Sequence, residues 1–168
     1  MTAAEQLADG IDAFIDAVGH VTAWSSFALA LVMGGNVLLR YVINTGTVWS
    51  QELEWHLMAP ICLFGMSYAL RHGEHVRVDV LFAGFSRRNK DFVEFLSSLI
   101  LMAISLIIIW LSIPYVMQSW SIGESSANPG GIPARYILKS LIPTGFALMF
   151  VQAFGQAIRF YLAWRKAD

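Results

Sequence analysis

FLSSLILMAISLIIIWLSIPYVMQSWSIG, running from Phe95 to Gly123, is a stretch of 29 residues with no Asp, Glu, Lys or Arg. As a helix it would be about 44 Å long, well beyond the roughly 30 Å hydrocarbon core of a bilayer. Lipid admits only helices and closed barrels, and runs such as Leu99-Ile100-Leu101 or Leu106 to Trp110 lack the period-two alternation of a barrel strand. The segment reads as a membrane helix that must tilt, kink at Pro114 or project into water.

Working outward, three more charge-free gaps qualify: Ala17 to Leu39, Trp55 to Leu70 and Ser140 to Ile158. The second is short, but Trp49-Ser50-Gln51-Glu52 extends it. Ser50 can cap that helix, Glu52 and Glu54 suit its positive N-terminus, and Trp49 and Trp55 suit the membrane interface. Composition agrees: 57% of the 168 residues are apolar and only 14% charged, where a soluble domain needs nearer half and a quarter. The chain is therefore expected to be an all-α integral membrane protein in one domain, with spans near 20–40, 49–71, 92–120 and 139–161.

Residues 1–20 carry Glu5, Asp9, Asp12 and Asp16 but no Lys or Arg, the reverse of a secretory leader. Leu7, Ile11, Phe14, Ile15 and Val18 fall at helical spacing with the acids largely off that face. Residues 3–18 are read as an amphipathic helix at the interface or as an extension of the first span. Its acidity argues for a protein neighbour rather than anionic lipid alone.

Orientation follows from Lys and Arg outside the spans. One side would hold Arg71, Arg77, Arg87, Arg88, Lys90, Arg159, Arg165 and Lys166, the other only Arg40, Arg135 and Lys139. Both termini are expected to be cytoplasmic. Between spans two and three, Asp79 can cap a short interfacial segment and Ser86 the helix that enters span three. On the other side, Asn44-Thr45-Gly46 and Asn128-Pro129-Gly130-Gly131 are turn signals.

Candidate chemistry is sparse. A net charge of −1 gives no reason to expect a nucleic-acid partner, and Cys62, alone in the sequence, reads as a small core residue. His56 stands one turn after Glu52 near the mouth of its span and reads as structural. Asn36, Gln152 and Gln156 are polar at depth, suited to interhelical hydrogen bonds or to a partner subunit. Ser26, Ala30 and Gly34 form a stripe at four-residue spacing that permits close helix approach. Span three looks lipid-facing. A haem-bearing redox anchor would need ligands in the bilayer, but His20, His72 and His75 fall at span ends. A stand-alone four-helix transporter would need an acid at depth and broken helices in matching halves, neither of which is evident. An accessory subunit, packed against a larger membrane protein, fits better.

Arg40-Tyr41-Val42, Trp49-Ser50-Gln51-Glu52-Leu53 and Tyr68-Ala69-Leu70-Arg71-His72-Gly73-Glu74-His75-Val76-Arg77-Val78-Asp79 together resemble the small, DctQ-like membrane subunit of tripartite ATP-independent periplasmic (TRAP) transporters. The similarity covers about residues 22–162. Gln51 departs from the pattern, since many relatives have a second acid before Glu52.

The resemblance implies a non-enzymatic subunit of a bacterial inner-membrane symporter, driven by sodium and importing small organic anions delivered by a periplasmic binding protein. It further implies that the substrate and sodium sites belong to the large membrane subunit, so this chain needs no cofactor and serves as a scaffold. The motif residues then have structural roles: Arg40 and Tyr41 at the outer end of span one, Trp49, Ser50 and Glu52 at that of span two, and His75, Arg77 and Asp79 at the cytoplasmic elbow.

Overall fold

A computed structural model describes residues 3–73 and 84–166, which form four long helices and no strand. They are α1 (Ala3–Val42), α2 (Val48–His72), α3 (Arg87–Ser121) and α4 (Arg135–Lys166). Three of them, α1, α3 and α4, are long and apolar enough to cross a membrane. The fourth, α2, carries Glu52, Glu54, His56 and Arg71 within 25 residues, which lowers its hydropathy.

Some local expectations hold and others are corrected. No break separates residues 3–18 from the first span, because α1 is one helix of 40 residues, about 60 Å long. Its buried stripe is Ala8, Asp12, Ile15, Gly19 and Thr22, while Leu7 and Phe14 are each 52% exposed. The inward face is thus rotated from the apolar one, because it meets basic partners as well as apolar ones. Thr47, not Ser50, caps α2: its hydroxyl accepts from the Ser50 N–H at 3.3 Å, and Ser50 Oγ donates to the Thr47 carbonyl at 2.9 Å. Ser86 caps α3 by accepting from the Asn89 N–H at 3.3 Å. Helix α3 runs on through Pro114. Cys62 is exposed rather than in the core. The expected cap at Asp79, and His75 and Arg77 with it, lie outside the described residues.

Helix α4 is the hub. It packs along α3, against α2, and against the first half of α1, while α1 also packs on α2. Helices α3 and α4 are antiparallel, as shown by Phe92 on Trp164 (5.8 Å between centroids), Phe95 on Tyr161 (5.7 Å) and Trp120 on Tyr136 (4.5 Å). The buried positions of α3 are Glu94 and four serines, Ser98, Ser105, Ser112 and Ser119, spaced by seven. A repeat of seven keeps a small-residue seam on one side of a helix that crosses its neighbour with a left-handed twist. The face rich in Leu and Ile looks outward while the serine seam looks inward, so the reading of the whole span as lipid-facing was half the answer. Ser98 and Ser112 return their hydroxyls to the carbonyls of Glu94 (2.8 Å) and Ile108 (2.6 Å).

Glycine makes the other close contacts. A Cβ on Gly145 would stand 2.8 Å from Leu63 Cβ and 2.9 Å from the Leu63 carbonyl oxygen, and one on Gly19 would collide with the Tyr68 ring. Gly155 faces Ile11 at 3.2 Å. Gly34, by contrast, has no atom within 4 Å of such a Cβ.

Candidate functional site: polar clusters at the two ends of the bundle

The start of α1 and the end of α4 lie at one end of the bundle, joined there by Lys166 Nζ and Glu5 Oε1 at 2.9 Å. Asp12, only 4% exposed, is the centre of this terminal end. Its Oδ1 lies 3.2 Å from Arg71 Nε of α2 and accepts from Gln152 Nε2 of α4 at 3.1 Å. Its Oδ2 accepts from Arg159 Nη2, which also donates to Asp9 at 2.6 Å. One turn on, Asp16 pairs with His72 Nε2 at 3.1 Å and stands 3.8 Å from Arg71 Nη2. Gln156 Nε2 donates to the Leu70 carbonyl at 2.7 Å. A buried carboxylate needs partners for its charge, and this one draws them from two other helices, clamping α1, α2 and α4 together. The neighbour anticipated for the acidic face is thus, in large part, the chain's own basic helix ends.

At the other, loop end, Glu52 of α2 is 2% exposed. Its carboxylate accepts from Ser126 Oγ, from the Ile132 N–H at 2.7 Å and from Asn128 Nδ2 at 3.4 Å, with Arg135 Nη2 also at 3.4 Å. A Cβ on Gly131 would fall 2.7 Å from Glu52 Oε2, so glycine is needed there to bring the loop backbone up to the carboxylate. Gly130, at φ 79°, makes the preceding turn. Beside this cage Lys139 pairs with Glu124 and lies 4.1 Å from the centroid of the Tyr115 ring. The Lys139 ammonium holds the Glu124 carboxyl below its ordinary 4.5. The α3–α4 loop is therefore pinned from beneath by a residue of α2.

The remaining sequence candidates fall as follows. Asn36 Nδ2 donates to Glu54 Oε1 at 2.6 Å and to the Ser50 carbonyl at 3.2 Å, tying α1 to α2. His56 Nδ1 is 2.7 Å from its own Glu52 carbonyl, an intrahelical bond. Gln152 and Gln156 turn inward. Ser26, Ala30 and Gly34 are exposed on the C-terminal half of α1, as are Arg40 and Tyr41 at its end and Trp49 in the first turn of α2. The sequence reading passed over the roles of Asp12, Arg71 and Arg159, and the signal that could have found them was four acids within residues 5–16 with no Lys or Arg before Arg40 to answer them.

Comparison with known proteins adds the family. Residues 29–162 match the model for the DctQ component of tripartite ATP-independent periplasmic transporters. The ectoine TRAP transporter small permease protein TeaB of Halomonas elongata is 23% identical over 124 residues, 74% of this chain. The chain spans about 63% of the length of that relative.

Proposed function

The chain belongs to the DctQ family of TRAP transporter components, and on that premise we propose that it is the fixed scaffold beside a large transport subunit in a bacterial inner membrane. It is a transporter subunit, not an enzyme. In this reading it crosses the bilayer four times with both termini in the cytoplasm. The complex would use a sodium gradient to import small organic anions handed over by a periplasmic binding protein. Family membership sets aside the redox anchor and the stand-alone transporter.

The observation that carries the scaffold role is the commitment of the buried polar groups to structure: Asp12 clamps three helices, Glu52 pins a loop, and Asn36, Gln152 and Gln156 tie neighbouring helices. An intramembrane polar residue is by default a functional marker, and here each has a packing task instead. The span assigned to α2 has support from the same clusters. Glu52 and Arg71 are 19 positions apart on it, about 28 Å along the axis, so the two polar ends bracket one hydrocarbon thickness. The face assigned to the large subunit is the outer half of α1, where Ser26, Ala30 and Gly34 offer close approach and, among the described residues, no other helix comes within 4 Å of a Cβ placed on Gly34.

The test is uptake in proteoliposomes containing the assembled complex, titrated with sodium and substrate and normalised to complex content. Asn36→Ala, His56→Ala and Gln156→Ala should leave the sodium dependence and apparent affinity unchanged, lowering at most the amount assembled. A changed sodium Hill coefficient with assembly intact would place part of a binding site on this subunit and overturn the scaffold reading. Reporter fusions at Gly46 and Gly130 should read periplasm and those at Arg88 and the C-terminus cytoplasm, the reverse pattern rejecting the orientation. Gly34→Leu should reduce co-purification of the large subunit.

A further inference from the structure

At the terminal end, a cleft of about 740 Å³ opens between the start of α3 and the end of α4. Arg87 and Arg88 of α3 stand on one side, Arg159 and Lys166 of α4 on the other, and Ile158 and Leu162 form part of an apolar wall. Among the described residues Glu5 is the acid that lines it, paired with Lys166, and Arg159 is shared with Asp9 and Asp12. Of the four cations around this space, Lys166 is paired with Glu5 and Arg159 with Asp9 and Asp12, which leaves Arg87 and Arg88 as the two that bring charge to it beside those pairs. The Arg88 guanidinium is set over the Trp164 ring, 5.7 Å from its centroid, and Trp164 in turn packs beside Tyr161. Indole and phenol rings favour the headgroup level of a bilayer, so this cleft lies where lipid phosphates do.

We propose that the cleft binds the phosphate headgroup of an anionic phospholipid, with Arg87 and Arg88 on the phosphate and the Ile158–Leu162 wall receiving the first methylenes of its chains. The chemistry is that of a basic pocket between membrane helices at the interface: diffuse positive charge for the phosphodiester, a guanidinium for bidentate contact and an apolar side for the tail. A free phosphate shares the first two features and makes no use of the third, which favours the lipid. The proposal rests on the membrane embedding of the chain, and not on its orientation, transport role or large partner.

The experiment uses the full chain purified in a neutral detergent, with native mass spectrometry and titration of phosphatidylglycerol, phosphatidylcholine and inorganic phosphate. Phosphatidylglycerol should be retained in preference to phosphatidylcholine, and inorganic phosphate should not displace it. The double variant Arg87→Gln, Arg88→Gln should weaken retention about thirtyfold, since one cation beside an anionic headgroup is worth roughly a factor of five. Ala163→Trp, which fills the cleft and keeps every charge, should weaken it as well, with the helical circular dichroism of both variants matching the parent. Equal retention of the two lipids, unchanged binding in both variants, or full displacement by inorganic phosphate would each overturn the lipid assignment. Because the assay contains no large subunit, substrate or sodium gradient, its failure leaves the scaffold reading untouched.

Discussion

Two carboxylates are buried at opposite ends of the same bundle, and they are held by different means. Asp12 is met by guanidinium groups from α2 and α4, so its charge is matched by charge and its partners lie on separate helices. Glu52 is met mainly by neutral donors, a hydroxyl and a backbone N–H, with Arg135 at 3.4 Å, and its hydrogen-bond partners lie in one loop and the first turn of the helix after it. The first arrangement fixes how helices stand beside one another, and the second fixes a loop on a frame that already exists. Losing either should therefore damage different properties.

The largest effect is expected at the terminal end. Asp12→Ala removes the counter-charge that Arg71 and Arg159 share and should cost about 2–3 kcal/mol, the low side of a broken buried pair because Arg159 keeps Asp9, Arg71 keeps Asp16, and both cations keep some solvent contact. Thermal unfolding of the full chain in detergent measures it, and an unchanged midpoint would remove the clamp from the account. Between the two ends, Gly145→Ala forces a methyl against the Leu63 backbone and should cost roughly 1–3 kcal/mol, while Gly34→Ala in the isolated chain should cost almost nothing. Equal costs at both glycines would mean that α2 and α4 are not in close contact there.

At the loop end, Glu52→Gln should leave the thermal midpoint nearly in place but raise amide exchange in residues 124–134 several-fold, with the Ile132 N–H foremost. Gly131→Ala, which presses on the same carboxylate from the loop side, should give the same exchange pattern. If either variant unfolds the bundle as Asp12→Ala does, the contrast between the ends collapses. The smallest effect is in pH. The folded Glu124 carboxyl is held below its ordinary 4.5 by Lys139, so the pair stabilises the loop fully above that value and loses its contribution as pH falls through the lower, folded value. Protection factors in the loop, with the intrinsic pH dependence of exchange divided out, should fall below about pH 4.5 in the parent and show a weaker pH response in Lys139→Met.

Much of the architecture was legible without coordinates, because hydropathy and charge are local properties. Gaps between charged residues marked all four helices, and the Trp, Ser and Glu pattern before Trp55 extended the short gap of α2, whose own hydropathy is low. The four-residue stripe Ser26, Ala30, Gly34 drew attention as a close-packing face, but within this chain the close approaches are at Gly19, Gly145 and Gly155. A short small-residue pattern recurs by chance on many helices and says nothing about which neighbour will be there. The seven-residue serine repeat of α3 was equally visible in the sequence and was passed over for the Leu and Ile residues around it.

What the sequence by itself determined is the solvent of each segment: a long uncharged helix must lie in lipid, and its charged ends must lie outside. What only the tertiary structure decided is the partner of each polar group. Asp12 meets Arg159, and Glu52 meets Ile132, through the rotation and register of separate helices. Those are set by the packing of whole surfaces: at 3.6 residues per turn, moving one residue along a helix turns a side chain by about 100°.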